Sequence, residues 1–128
     1  MNDFPDFSKL KNVEHPELLL EQAEPFMNLM MKYKCAAMEV ETKIRILNEE
    51  FALKNQRNPI ESIKARVKSP ASILEKMTRR EISFDIEHME KELNDIAGVR
   101  VICSFPEDIY DVARLITEQD DIVVLQIK

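Results

Sequence analysis

IESIKARVKSPASILEKMTRR, residues 60–80, changes its period at Ser69-Pro70. Before that point Ile63, Ala65 and Val67 alternate with Lys64, Arg66 and Lys68, the two-residue repeat of a strand with one covered face. After it Ile73, Leu74 and Met77 recur at helical spacing, with Ser69 placed as an N-cap and Pro70 at the first helical position. The stretch therefore reads as a strand running directly into a helix that lasts to about Arg79. The same stretch gathers charge: residues 64–80 hold six Lys or Arg against one Glu, in a chain of net charge −6.

Geometry makes that charge specific. Arg66 and Lys68 project to the same side of a strand, about 7 Å apart. Ser72 and Lys76 are i and i+4, hence neighbours on one helix face, with Arg79 and Arg80 a further turn along. A capped helix start leaves amide groups that suit an anion. Strand cations, helix start and helix lysine are expected to converge on one polyphosphate. The plainer alternative is a solvated basic face.

Working outward, 128 residues suit one domain with a single core. Hydrophobic residues at 45% and charged residues at 33% argue against wholesale disorder. The acidic total disfavours general binding to nucleic acid, so no DNA partner is expected. No apolar run approaches the roughly 20 residues of a membrane span. The opening MNDFPDFSKLKNVEHPE lacks the basic start and apolar block of a secretory signal. Cys35 and Cys103 form no CxxC, which suggests free thiols in a reducing compartment, and a cytoplasmic location is the expectation. Gly98 is the one glycine, which excludes a glycine-rich phosphate loop.

Upstream, residues 1–15 are polar and expected to be loosely held, a short helix is expected over 16–23, and Pro25 marks a break or fresh start. Residues 26–57 read as one long helix. Its stripe is Tyr33, Ala37, Val40, Ile44, Leu47 and Phe51, widened by Met27, Met30, Met31 and Met38, with packing on a sheet or second helix preferred over a self-associating seam. Downstream, 80–84 connects to a short helix from Asp85 to Leu93, begun near Ser83 or Asp85. AGVRVICSF is a β-branched strand, Pro106 opens a helix whose apolar positions are Ile109, Val112, Ala113, Leu115 and Ile116, and 121–127 reads as a last strand. Strand, helix and strand in succession suggest a parallel pair.

A second chemical candidate is NDIAGVR, residues 94–100. A carboxylate before a buried strand is placed to hold Mg²⁺, which points to Asp95, while Arg100 suits a base or a phosphate. On a regular strand these two side chains face opposite sides, and Gly98 between them permits a bulge or bend. Other polar residues have plainer explanations. His15 lies in the loose start, His88 lacks a metal-spaced companion, and Cys103 alternates into an apolar strand. Asp108, Asp111, Asp120 and Asp121 read as cap or turn residues.

Together, ARVKSPASILEK and NDIAGVRVICSFPEDIYDVARLI resemble the synthetase domain of the RelA/SpoT family, closest to its small stand-alone alarmone synthetases. The resemblance covers roughly residues 59–125. It implies a nucleotidyltransferase-like α/β (α+β) fold: a mixed sheet with flanking helices and a long N-terminal helix. On it, residues 1–58 form an N-terminal helical region and 59–128 the ATP-binding half of the synthetase domain. The implied reaction is transfer of the β,γ-pyrophosphate of ATP to the 3′-hydroxyl of GTP or GDP. The implied roles are Arg66 and Arg100 flanking the adenine, and Lys68, Ser72 and Lys76 on the ATP phosphates. Asp95 holds Mg²⁺ in this scheme, and Arg79 or Arg80 adds phosphate contacts.

Two departures shape the expectation. Family members continue into a tyrosine-bearing loop that stacks the guanine and a strand carrying a catalytic glutamate, and neither is found before Lys128. No His-Asp dipeptide marks the family's hydrolase module. An incomplete chain with little synthetic activity of its own is therefore expected, its last strand an open edge prone to association. The resemblance also suggests a homo-oligomer, with a tetramer one arrangement. The alternative function is a non-catalytic regulator that binds nucleotide or associates through its long helix.

Overall fold

The computed structural model describes residues 23–128. His15 and all but the last residue of the short helix expected over 16–23 lie outside them. Helix α1 (Ala23–Asn55) runs 33 residues, and Pro25 stands in its first turn, where a missing amide hydrogen breaks no intrahelical bond. Strand β1 (Ile60–Val67), helix α2 (Pro70–Arg79), helix α3 (Ile86–Glu92), strand β2 (Ala97–Cys103) and helix α4 (Pro106–Thr117) follow. The fold is α+β, as the sequence implies.

Among the described residues the sheet has two strands, β1 beside β2. At one end the Lys68 N–H donates to the Ile96 carbonyl at 2.7 Å, and at the other the Ser104 N–H donates to Pro59 at 2.9 Å. Rising numbers thus meet falling ones, and the pair is antiparallel. Between those bonds β1 carries one residue more than β2, and its alternation of exposure skips at Glu61 and Ser62, both exposed. The irregularity expected at Gly98 sits on β1 instead. Gly98 has no positive φ, and a Cβ there would meet nothing within 4 Å.

The expected last strand is absent. After the turn in which the Ile122 N–H bonds to Gln119, residues 122–128 form no ladder. Val123, Leu125 and Ile127 are 81%, 93% and 80% exposed. Strand preference is realised through a hydrogen-bonded neighbour and a packed face, and no strand among the described residues supplies either. The parallel pair expected across α4 therefore does not form.

Two compact units share these elements. The first comprises the described residues up to Ala37 and residues Arg66–Gly98. Its core joins Phe26 and Leu29 of α1 to Ile73, Leu74 and Met77 of α2, and these to Ile82, Met89, Leu93 and Ile96. Burying side chains of this size contributes roughly 1.5–3 kcal/mol each. The second unit comprises Met38–Ala65 and Val99–Lys128. Ile44, Ile60 and Val112 are buried there, backed by Val40, Ile63, Val99, Val101, Cys103 and Ile116. Met31 and Met38, expected to widen the covered face of α1, are instead 52% and 57% exposed.

Both ends of α2 explain themselves chemically. Ser69 takes an extended backbone and its side chain accepts the Ser72 N–H, the N-cap arrangement. At the other end Glu81 has a φ of 55°, its N–H donates to Thr78 at 3.2 Å, and the Ile82 N–H donates to Met77 at 2.8 Å. Those two bonds and the buried Ile82 and Met77 make a Schellman cap. Glycine usually takes that left-handed position; here glutamate does.

Candidate functional site

Three segments of the first unit bring Lys68, Lys76 and Asp95 of the predicted site together: the exit of β1, the helix α2, and the loop before β2. Lys68 follows the last residue of β1, and its backbone bond to Ile96 sets it beside the residue next to Asp95. Lys76 lies on α2 one turn beyond Ser72. Both ammonium groups donate to one oxygen of Asp95: Lys68 Nζ and Lys76 Nζ each lie 2.8 Å from Oδ2. The two cations are therefore no farther apart than twice that distance.

Chemically the cluster is two positive charges around one negative, open to solvent on the acid's side. The side chains of Lys68 and Lys76 are 23% and 21% exposed, that of Asp95 51%. The bond from Lys68, then that from Lys76, holds the Asp95 pKa down at about 2. The acid is ionised at any physiological pH.

The start of α2 offers less than expected. Pro70 has no amide hydrogen, and the Ser72 N–H bonds to Ser69 Oγ at 3.2 Å. The Ile73 N–H goes to the Ser69 carbonyl at 3.0 Å. This leaves the Ala71 amide as the nearby donor that none of these removes. Attraction for an anion here comes mainly from lysine charge. The Ser69 hydroxyl in turn donates to Ser72 Oγ at 2.8 Å, which sets the Ser72 side chain at the head of the helix. Beside it a recess of about 200 Å³ is lined by Met27, Met30, Val67, Lys34, Lys68 and Ser69 among others. That is below the usual range for a whole nucleotide-sized ligand.

The other candidates take these places. Arg66 is exposed on the uncovered side of β1, and in the second unit Arg100 is exposed on the uncovered side of β2. Arg79 is exposed near the end of α2, and Arg80 Nη1 donates to the Glu92 carbonyl at 3.3 Å. His88 pairs with the N-cap Asp85, its ring Nδ1 2.6 Å from Oδ2. That contact raises the His88 pKa. Burial raises the Cys103 pKa, with the nearby Asp108 charge acting the same way, so the thiol is a core group rather than a nucleophile. Among the described residues no three His, Cys, Asp or Glu group together as a metal site, and no helix is long and apolar enough to cross a membrane.

One interaction was invisible to sequence reading. Asp108, expected as a cap or turn residue, is fully buried and receives both Arg57 nitrogens, at 2.7 and 2.6 Å. The Arg57 guanidinium also lies 5.5 Å from the Phe51 ring centre and 5.4 Å from that of Phe105. Arg57 follows a helix and Asp108 opens another, 51 residues later; no local pattern links them.

Comparison with known proteins places this geometry in context. A family model described as a region found in RelA/SpoT proteins matches residues 65–128. The GTP pyrophosphokinase YwaC of Bacillus subtilis is 37% identical over 117 residues, 91% of this chain and 56% of that protein. The small alarmone synthetase 1 of Bacillus subtilis bound to its product pppGpp aligns at a TM-score of 0.69. Its identity is 29%, over 80% of this chain and 52% of that one. The same synthetase bound to AMPCPP aligns at 0.68 with 30% identity, over 80% and 55%. The chain thus spans about half the length of these relatives.

Proposed function

The chain belongs to the RelA/SpoT family, and from that premise we propose that it carries the ATP-binding part of a GTP pyrophosphokinase. The reaction is transfer of the β,γ-pyrophosphate of ATP to the 3′-hydroxyl of GTP or GDP. The observation that supports this most is the meeting of Lys68 and Lys76 on one oxygen of Asp95. Groups from three segments converge where a solvated basic face would scatter them. Transfer of this kind needs chiefly positioning and charge neutralisation. In this reading Lys68, Ser72 and Lys76 bind the ATP phosphates, Arg66 and Arg100 flank the adenine, and Arg79 or Arg80 extends the positive rim.

Mg²⁺ fits the donor set. It takes one or two carboxylates and fills its remaining positions with phosphate and water oxygens, and Asp95 is one ionised, half-exposed carboxylate. Asp95 would hold the ion, whose contribution when bound is charge neutralisation at the phosphates. Self-association is the accompanying proposal. Met31, Met38, Ile46 and Leu53, spaced by seven or eight residues, are all more than half exposed along one side of α1.

Titration calorimetry with AMPCPP and Mg²⁺ tests the donor site. Wild type binds, and Lys76→Ala and Arg66→Ala each weaken binding, the lysine by about tenfold or more, as loss of a charge-assisted bond implies. Wild type that takes up no AMPCPP would contradict the reading.

A further inference from the structure

We propose that Asp95 is a latch on the donor site: it holds Lys68 and Lys76 on one carboxylate oxygen and releases them to a polyphosphate only in exchange for a divalent cation. The inference rests on the donor-site reading above and adds the order in which its charges are rearranged.

Both ammonium groups lie at 2.8 Å from Oδ2, so the acid and an incoming phosphate compete for the same two positive charges. A phosphate that wins leaves a bare carboxylate beside a polyanion, a like-charge contact that costs part of the gain. A cation on Asp95 removes that conflict, and the acid changes from competitor to anchor. The geometry allows the exchange. Asp95 is about twice as exposed as either lysine, so the cation reaches it from solvent while the lysines keep their stems packed. The coupling is reciprocal: two ammonium groups on the carboxylate repel a free cation, so the ion alone binds weakly and nucleotide strengthens it. A latch closed about nine-tenths of the time weakens metal-free binding about tenfold.

The test is calorimetry on the full chain with AMPCPP, and with tripolyphosphate in parallel, in EDTA and in excess Mg²⁺. Asp95→Asn is expected to bind both probes about tenfold more tightly than wild type in EDTA, and AMPCPP less tightly than wild type in Mg²⁺. In a Lys68→Ala/Lys76→Ala background the gain in EDTA disappears, because there is nothing left to release. Asp95→Asn that binds no more tightly in EDTA overturns the latch. So does a gain that persists without the lysines, which would be removal of charge alone. Wild type that binds neither probe in Mg²⁺ removes the donor-site reading and the latch with it, whereas the first two results remove the latch only.

Discussion

At the scale of single residues, the charged groups divide by what surrounds them. Asp95 is half exposed, and its ion pairs contribute at most about 1 kcal/mol to stability in water and salt. Their value is in setting charge. Its folded pKa of about 2 lies below the ordinary 3.8, so its stabilising contribution is fully present above the ordinary value and is lost as pH falls through 2. A carboxyl carbon NMR titration should show a midpoint near 2, moving toward 3.8 in the Lys68→Met/Lys76→Met variant. An unmoved midpoint would mean the lysines are not its cause. Asp108 is the opposite case, buried and gripped by Arg57. Arg57→Met strands a carboxylate in the core and should lower the Tm by several degrees. Arg45→Met, which removes only a surface pair with Glu41, should change it by about a degree at most.

At the scale of elements, local chemistry was readable wherever it was complete within a few residues. The change of period at Ser69-Pro70 gave both β1 and the start of α2, because cap, proline and alternation are all local signals. The end of α2 carried no such marker, since glutamate occupies the position where glycine would have announced the cap. Glu81→Gly should therefore stabilise the protein by about 1 kcal/mol in denaturant unfolding, and an unchanged midpoint would contradict the strain argument. Ser69→Ala should cost about 1 kcal/mol through loss of the N-cap. The rotation of α4 was not readable. Ile109 is one of its apolar positions, yet it is 54% exposed while Asp108 is buried. The partner of Asp108, Arg57, belongs to a distant segment.

At the scale of the molecule, what the sequence alone missed is what depends on a neighbour. Residues 121–127 have the composition of a strand, yet a strand needs another beside it, so the apolar side chains stay in water. Leu125→Lys should reduce concentration-dependent association in light scattering and leave the Tm unchanged, because Leu125 is 93% exposed. The site was legible for the opposite reason. Lys68, Ser72 and Lys76 are placed by β1 and α2, whose local signals were strong, whereas Asp95 meets Lys76 from a loop 19 residues later. Arg66 and Arg100 are exposed on their strands. The most direct measurement is NMR mapping of the full chain as AMPCPP and Mg²⁺ are added. The largest shifts should fall on Lys68, Ser69, Ser72, Lys76 and Asp95; shifts centred on another surface, with these five unmoved, would contradict the donor site.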